Sequence, residues 1–270
     1  MNDTPPRPPI LDQVAATGYP APALDVSTAT VPGPVVAIHQ PNLFPWLGFF
    51  NKVARADTFI LLDHVVNNPR DPLWTKRVRI LANGQAQWLT LPLKRDAHQV
   101  FLPIQAMWLA DKPPFTDKHL RTLSHAYQKA PFFDAVWPFV EAFYEMSDPS
   151  IANRNIGFIV TVAEALELPT HFIRSSVLAP DSHATAMLVD LVKAVDGHTY
   201  LCGGGADGYQ DDTAFAHAGL HLAYQQYQHP TYPQLGPADQ GFVPGLSILD
   251  ALMNCGFEGT RRLIDGTVTP

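Results

Sequence analysis

Cysteine is scarce in this chain of 270 residues. Cys202 and Cys255 are too few for a disulfide framework, and their spacing matches no zinc motif. Both read as small buried hydrophobes. Charge is thin as well: 16% of residues are charged and the formal net charge is -7. That balance argues against an extended nucleic-acid surface. No apolar run approaches the roughly 18 residues that a membrane span needs. The first residues lack the basic-then-apolar pattern of a secretory signal, so a cytoplasmic location is the expectation. The chain has no Walker A loop, no G-x-S-x-G elbow and no H-E-x-x-H pair. His217 and His221 form a lone i,i+4 pair that crosses Gly219, so no metal site is expected.

What is present is an apolar content of 46%, enough for one large domain with a sizeable core. Residues 1–33 are rich in Pro, Ala and Thr and have no apolar period, so they read as a loosely attached arm. Residues 34–270 then read as one α/β domain with a helical insertion at about 112–168.

The chain is organised around Val35 to Asn51. Val35, Val36, Ala37 and Ile38 form a buried strand that stops at His39-Gln40-Pro41, because proline cannot donate to a sheet ladder. A loop with Pro41 and Pro45 follows, and Trp46 to Ala54 starts a short helix. Phe59-Ile60-Leu61-Leu62 is a second apolar strand, ending at Asp63 and His64. Two strand-like runs around Asn83-Gly84 signal a hairpin. Helical periods cover Phe115 to Ala130, Phe132 to Phe143 with a kink or restart expected near Pro138, and Ile151 to Leu166. Thr170 to Arg174, His198 to Cys202 and Leu220 to Tyr227 read as further strands, and Ala184 to Ala194 as a helix. Ser247-Ile248-Leu249-Asp250 has capping-box spacing and opens a helix through Asn254, with Gly256 as its C-cap. The alternation predicts a Rossmann-like parallel sheet with a β-hairpin and a helical insertion.

In such a sheet the strand ends share one edge, and ligands sit outside it. His39 with Asp63 as orienting partner, or His229, could act as a base. Gln40, Asn42, Trp46, His64, Tyr232 and Asn254 are candidates for substrate contact. Gly203, Gly204 and Gly205 could let backbone amides approach an anion, or could simply make a tight turn. Lys76 and Arg79, near Trp74, could bind an anionic group, or could be the charged protection of an edge strand.

The run I-H-Q-P-N-x-F-P-W-L-G-F-F-N-K at residues 38–52 resembles the opening signature of the WbqC-like family. Phe59 to Val65, Trp88 to Leu93, Tyr200 to Ala206, Tyr227 to Gln234 and Phe242 to Asp250 resemble further segments of that family, in the same order. The strand, proline-bounded loop and short helix are also loosely similar to nucleotidyltransferase-like folds, although Gly48-Phe49 stands where those folds have Gly-His. The family resemblance implies a biosynthetic protein for a small polar metabolite in polysaccharide or specialised-metabolite pathways. The reaction expected is acyl or aminoacyl transfer to an amine, such as an amino sugar. The alternative is a non-catalytic sugar-nucleotide or metabolite-binding protein or partner subunit. A thioester, an aminoacyl-tRNA and an ATP-made adenylate all remain open as donors. Neither a cofactor nor an oligomeric state is legible.

Overall fold

The computed structural model describes residues 33–66, 74–94, 102–110, 115–203, 210–237 and 241–266. The expected arm therefore lies outside the described residues, apart from Gly33.

Strand β1 (Val35–His39) leads into helix α1 (Leu47–Ala54), and strand β2 (Thr58–Leu61) follows. An antiparallel hairpin, β3 (Arg77–Ala82) and β4 (Gln85–Thr90), turns at Asn83-Gly84, both with positive φ. Helices α2 (Phe115–Tyr127), α3 (Phe133–Glu145) and α4 (Ile151–Ala165) come next. The chain returns through β5 (His171–Arg174), α5 (Ser175–Leu178), α6 (Ala184–Ala194), β6 (Thr199–Cys202), α7 (Asp212–His217) and β7 (His221–Tyr224). It ends in α8 (Ile248–Asp265).

The main sheet has the order β5-β2-β1-β6-β7, with every pairing parallel. This is a Rossmann-like arrangement: the chain builds outward from β1 in one direction, then crosses back to β6 on its other side. Side chains alternate across the sheet. Ala37, Phe59, Leu61, Phe172 and Leu201 enter one core with α1, α4, α8 and the hairpin. Val36, Ile38, Ile60, Tyr200 and Cys202 enter the other, under Leu191 and Val192 of α6 and Phe215 of α7. Both faces are covered, which is why the strands read as unbroken apolar runs.

Two expectations are corrected. Pro138 neither ends nor restarts a helix; α3 runs through it. Gly256, as expected, ends the stretch that Ser247 opens: its φ of 68° leaves the helical path, and a second helical stretch follows at once to Asp265. The capping box does not close. The Ser247 hydroxyl accepts from the Leu249 N–H, but the Ser247 N–H goes to the Arg79 carbonyl and Asp250 turns inward.

Candidate active site at the strand ends and the aromatic loop

The opening signature forms a loop clamped from two sides. The Asn155 amide of α4 donates to the carbonyls of Pro41 and Thr75, at 2.8 and 2.7 Å. The Ser247 hydroxyl donates to the Phe44 carbonyl at 2.9 Å, and the Ile248 N–H to the Pro45 carbonyl at 2.8 Å. Phe44 is fully buried at φ 38°, a backbone region that costs a non-glycine residue energy, so these clamps hold a strained turn. Asn42 is buried inside the same loop.

His39 closes β1, half-buried and edge-on to Phe49. Its Nδ1 lies 3.0 Å from the Gln40 carbonyl, which can only accept, so Nδ1 carries the proton and Nε2 keeps its lone pair. Burial and the Lys52 charge lower its pKa to about 4, against the pull of the Gln40 carbonyl. The expected His39–Asp63 pair is not formed. Asp63 is fully buried and its carboxylate is already taken. Oδ2 accepts from Arg174 Nε at 2.7 Å and the Ser176 hydroxyl at 2.9 Å; Oδ1 accepts from the Ser176 N–H at 2.9 Å and the Ser175 hydroxyl at 3.1 Å. His64 Nδ1 meets Ser175 Oγ at 2.7 Å. Asp63, Ser175 and Arg174 thus form a structural knot joining the ends of β2 and β5.

A second group surrounds Trp46. His229 and Trp46 stack at 6.0 Å, His229 and Tyr232 stack at 6.3 Å, and Tyr227 and Phe242 close in at 5.9 and 5.5 Å. Trp46 can fold over α1 because residue 48 is glycine: a Cβ there would stand 2.4 Å from the indole. Gln225, just after β7, ties this loop to α1 by donating to the Gly48 carbonyl and the Asn51 side chain, at 2.6 and 2.9 Å. His229 Nδ1 donates to the Pro230 carbonyl at 2.8 Å, so its Nε2 is also an acceptor; burial lowers its pKa. Beneath Tyr232 lies Asp250, at 0% exposure. Burial raises its pKa to about 6, although Tyr232, Gln234 and Tyr127 steady its charge. The Gln234 amide donates to Oδ2 at 2.9 Å, whereas Oδ1 has no partner within hydrogen-bond distance.

Buried polar groups are nearly always paired. Here three orphans share one aromatic cluster: Asp250 Oδ1, His229 Nε2 and the Tyr227 hydroxyl. A fourth, Arg79 Nε, belongs to the guanidinium that holds the Pro244 carbonyl at 2.7 Å. Arg79 is therefore an anchor for the loop that leads into α8. The cation found on a tryptophan is Arg77, 4.1 Å over Trp88; Trp74 packs against Trp88 at 5.5 Å. Lys76 sits just before β3, half-buried, its carbonyl receiving the Leu91 N–H. Asn254 donates back to the Asp250 carbonyl at 2.7 Å within α8. Gly203 follows β6, and an added Cβ there would meet nothing within 4 Å among the described residues. Gly204 and Gly205 lie outside the described residues. Gly203, Gly205 and Gly208 have G-x-G-x-x-G spacing, though after the fourth parallel strand and not the first, where the dinucleotide-binding pattern stands. A shallow groove on α2 and α3, lined by Leu120, Arg121, Ser124, His125, Gln128 and Trp137, shares no residue with either group.

Three of the six segments that carry the family resemblance therefore meet in space: residues 42–48, 225–234 and 242–254 build a single cluster. The WbqC-like protein family profile matches residues 40–262, which spans that cluster. The chain belongs to the WbqC-like protein family. It is 29% identical over 234 residues to the uncharacterized protein Rv1507c of Mycobacterium tuberculosis, covering 84% of this chain and 96% of that protein. No solved structure matches. Among the described residues no helix is long and apolar enough to cross a membrane.

Sequence reasoning missed Asp250 and Gln225 as site residues. The signal for Asp250 was an acid inside the apolar run Leu246 to Met253, which the capping-box spacing explained away.

Gly48 offers a direct check on the Trp46 stack. In a Gly48→Ala variant the new Cβ should displace the indole, while stability changes by under about 1 kcal/mol because alanine also favours the helix. The ring-current shift of the His229 protons should then collapse. An unchanged shift would mean that Trp46 does not depend on Gly48.

Proposed function

We propose that this WbqC-like protein is a biosynthetic enzyme that transfers an acyl or aminoacyl group to the amine of a small polar metabolite, such as an amino sugar. The observation that carries the reading is the pair of unpartnered buried acceptors, Asp250 Oδ1 and His229 Nε2, in one aromatic cluster. An amine with neighbouring hydroxyls supplies the donors that both atoms lack, and its ring has Trp46, 36% exposed, to stack on.

The chemistry follows. The acceptor enters as an ammonium and is held by the Asp250 carboxylate, which then takes a proton to free the nitrogen lone pair. A carboxyl pushed up to about 6 exchanges that proton near neutral pH far better than an ordinary aspartate. The amine attacks the acyl carbon, the C–N bond forms, and the N–H becomes strongly acidic. His229 Nε2 accepts this second proton and returns it to the leaving group as the acyl–donor bond breaks. Tyr227, whose pKa burial raises, stays protonated and can donate to the developing oxyanion. The donor class is a thioester, an adenylate or an aminoacyl ester of tRNA. His39, with a pKa near 4, is too weakly basic for the main proton transfer and serves as a neutral hydrogen-bonding group at the strand end.

The test is incubation with glucosamine and one donor of each class, read as amide product by mass spectrometry. His229→Gln should retain glucosamine binding and lose at least about 100-fold in rate, the usual worth of a general base. Glucosamine binding with no product from any donor would favour the non-catalytic binding role instead. Absence of both binding and product would sink the proposal.

A further inference from the structure

Lys52 lies on α1 in line with Phe49 and Val53, the buried stripe of that helix, and is 3% exposed. Its Nζ donates to the Ile38 carbonyl at 2.8 Å, its one hydrogen-bond partner among the described residues. That carbonyl is open for a topological reason. The β1–β6 ladder runs only from Val35↔Thr199 to Ala37↔Leu201, so the two strands part just below Ile38. This parting is the point where the strand order reverses, and in open α/β sheets such points hold ligands.

An ammonium has three donors, and one is used here. Among the described residues no carboxylate lies within ion-pair distance of Lys52. Its titratable neighbours are His39, whose protonation its charge opposes, and the buried Cys202 thiol. A buried cation with no counter-ion is costly to keep, and the cost is relieved when an anion arrives. On the same edge stands Gly203, where an added Cβ would meet nothing within 4 Å among the described residues.

We propose that Lys52 anchors a small oxyanion, the phosphate or carboxylate of a ligand, at the mouth between β1 and β6, with His39 and Gly203 flanking it. The proposal stands apart from the acyl-transfer reading, since it needs only the ion and the Lys52 ammonium. It would place the anionic end of a donor or acceptor at the strand edge.

The test uses the full chain with lysine labelled at Cε and Nζ and histidine labelled in the ring, titrated by NMR. The probes are sodium phosphate, pyrophosphate, acetate and malonate in a non-coordinating buffer. Free Lys52 should titrate near the value of about 8 to which burial lowers it. A bound oxyanion should raise it by about one unit or more, and should raise His39 with it. The salt that acts at the lower concentration distinguishes phosphate from carboxylate. Lys52→Met removes a buried uncompensated charge, so it should fold, and it should abolish the His39 response. Should that variant fail to fold, the wild-type titration decides alone. Lys52 and His39 resonances unmoved by about 50 mM of each salt would overturn the proposal. So would a His39 response that persists in folded Lys52→Met.

Discussion

Asp63→Ala is expected to lower the unfolding free energy by about 3 kcal/mol, toward the lower end of the range for breaking a buried pair, because Arg174 keeps part of its hydration. The carboxylate receives four hydrogen bonds at 2.7–3.1 Å, and its removal strands every donor. The cost should appear as a shift in the urea midpoint with the m-value unchanged. Adding Arg174→Ala to Asp63→Ala should recover part of the loss, because the lone guanidinium no longer faces an empty site. Catalysis is not where the effect should lie: the knot joins β2 to β5 and does not contact the aromatic cluster. A fully stable Asp63→Ala protein would show that the knot is dispensable to the fold.

Asp250→Asn is expected to do the opposite. It should stabilise the protein at pH 7.5 by about 2 kcal/mol while abolishing the activity proposed for the cluster. The folded-state pKa of Asp250 is raised from 3.8 to about 6. The native state therefore binds more protons than the unfolded state between those values. This group's contribution falls as pH rises from about 4 to about 6 and is constant above that. Asparagine removes that slope. His39 works against it over an overlapping range: a folded pKa lowered to about 4 means stability is lost as pH falls from 6.5. His119, lowered to about 4, and His229, also lowered by burial, slope the same way as His39, so the wild-type curve mixes opposing slopes and the difference between wild type and Asp250→Asn is the quantity to follow, by thermal or urea unfolding from pH 4 to pH 8. A variant less stable than wild type at pH 7.5 would mean that Asp250 is a structural acceptor and not a carboxylate held buried for use.

The sheet was legible because its strands are covered on both faces. Val35 to Ile38 and Phe59 to Leu61 are apolar runs with polar ends, and a run of that kind has few other readings. The hairpin was legible from Asn83-Gly84. The short helices α5 and α7 were not, because four and six residues carry too little period to register. Pro138 misled in the other direction: tertiary packing of Val136, Val140 and Phe143 holds α3 together across a missing N–H. In the site, His229 and Tyr232 stood out as polar groups just past a strand. Lys52 did not, because one lysine in a short helix reads as surface unless its register with Phe49 and Val53 is noticed. The His39–Asp63 pairing failed because neighbouring strand ends fix backbones, not side-chain partners, and Arg174 arrives on β5 with a stronger claim.

The central claim is that Asp250 waits, buried and half-satisfied, for the amine of a ligand. The carboxyl carbon resonance of Asp250, followed from pH 4 to pH 8 with and without glucosamine, tests it most directly. In the free protein it should titrate near 6. With glucosamine bound, the ammonium should favour the carboxylate and draw that value down by about one unit or more, while glucose, lacking the charge, should leave it in place. An Asp250 titration indifferent to glucosamine, or shifted equally by glucose, would contradict the account.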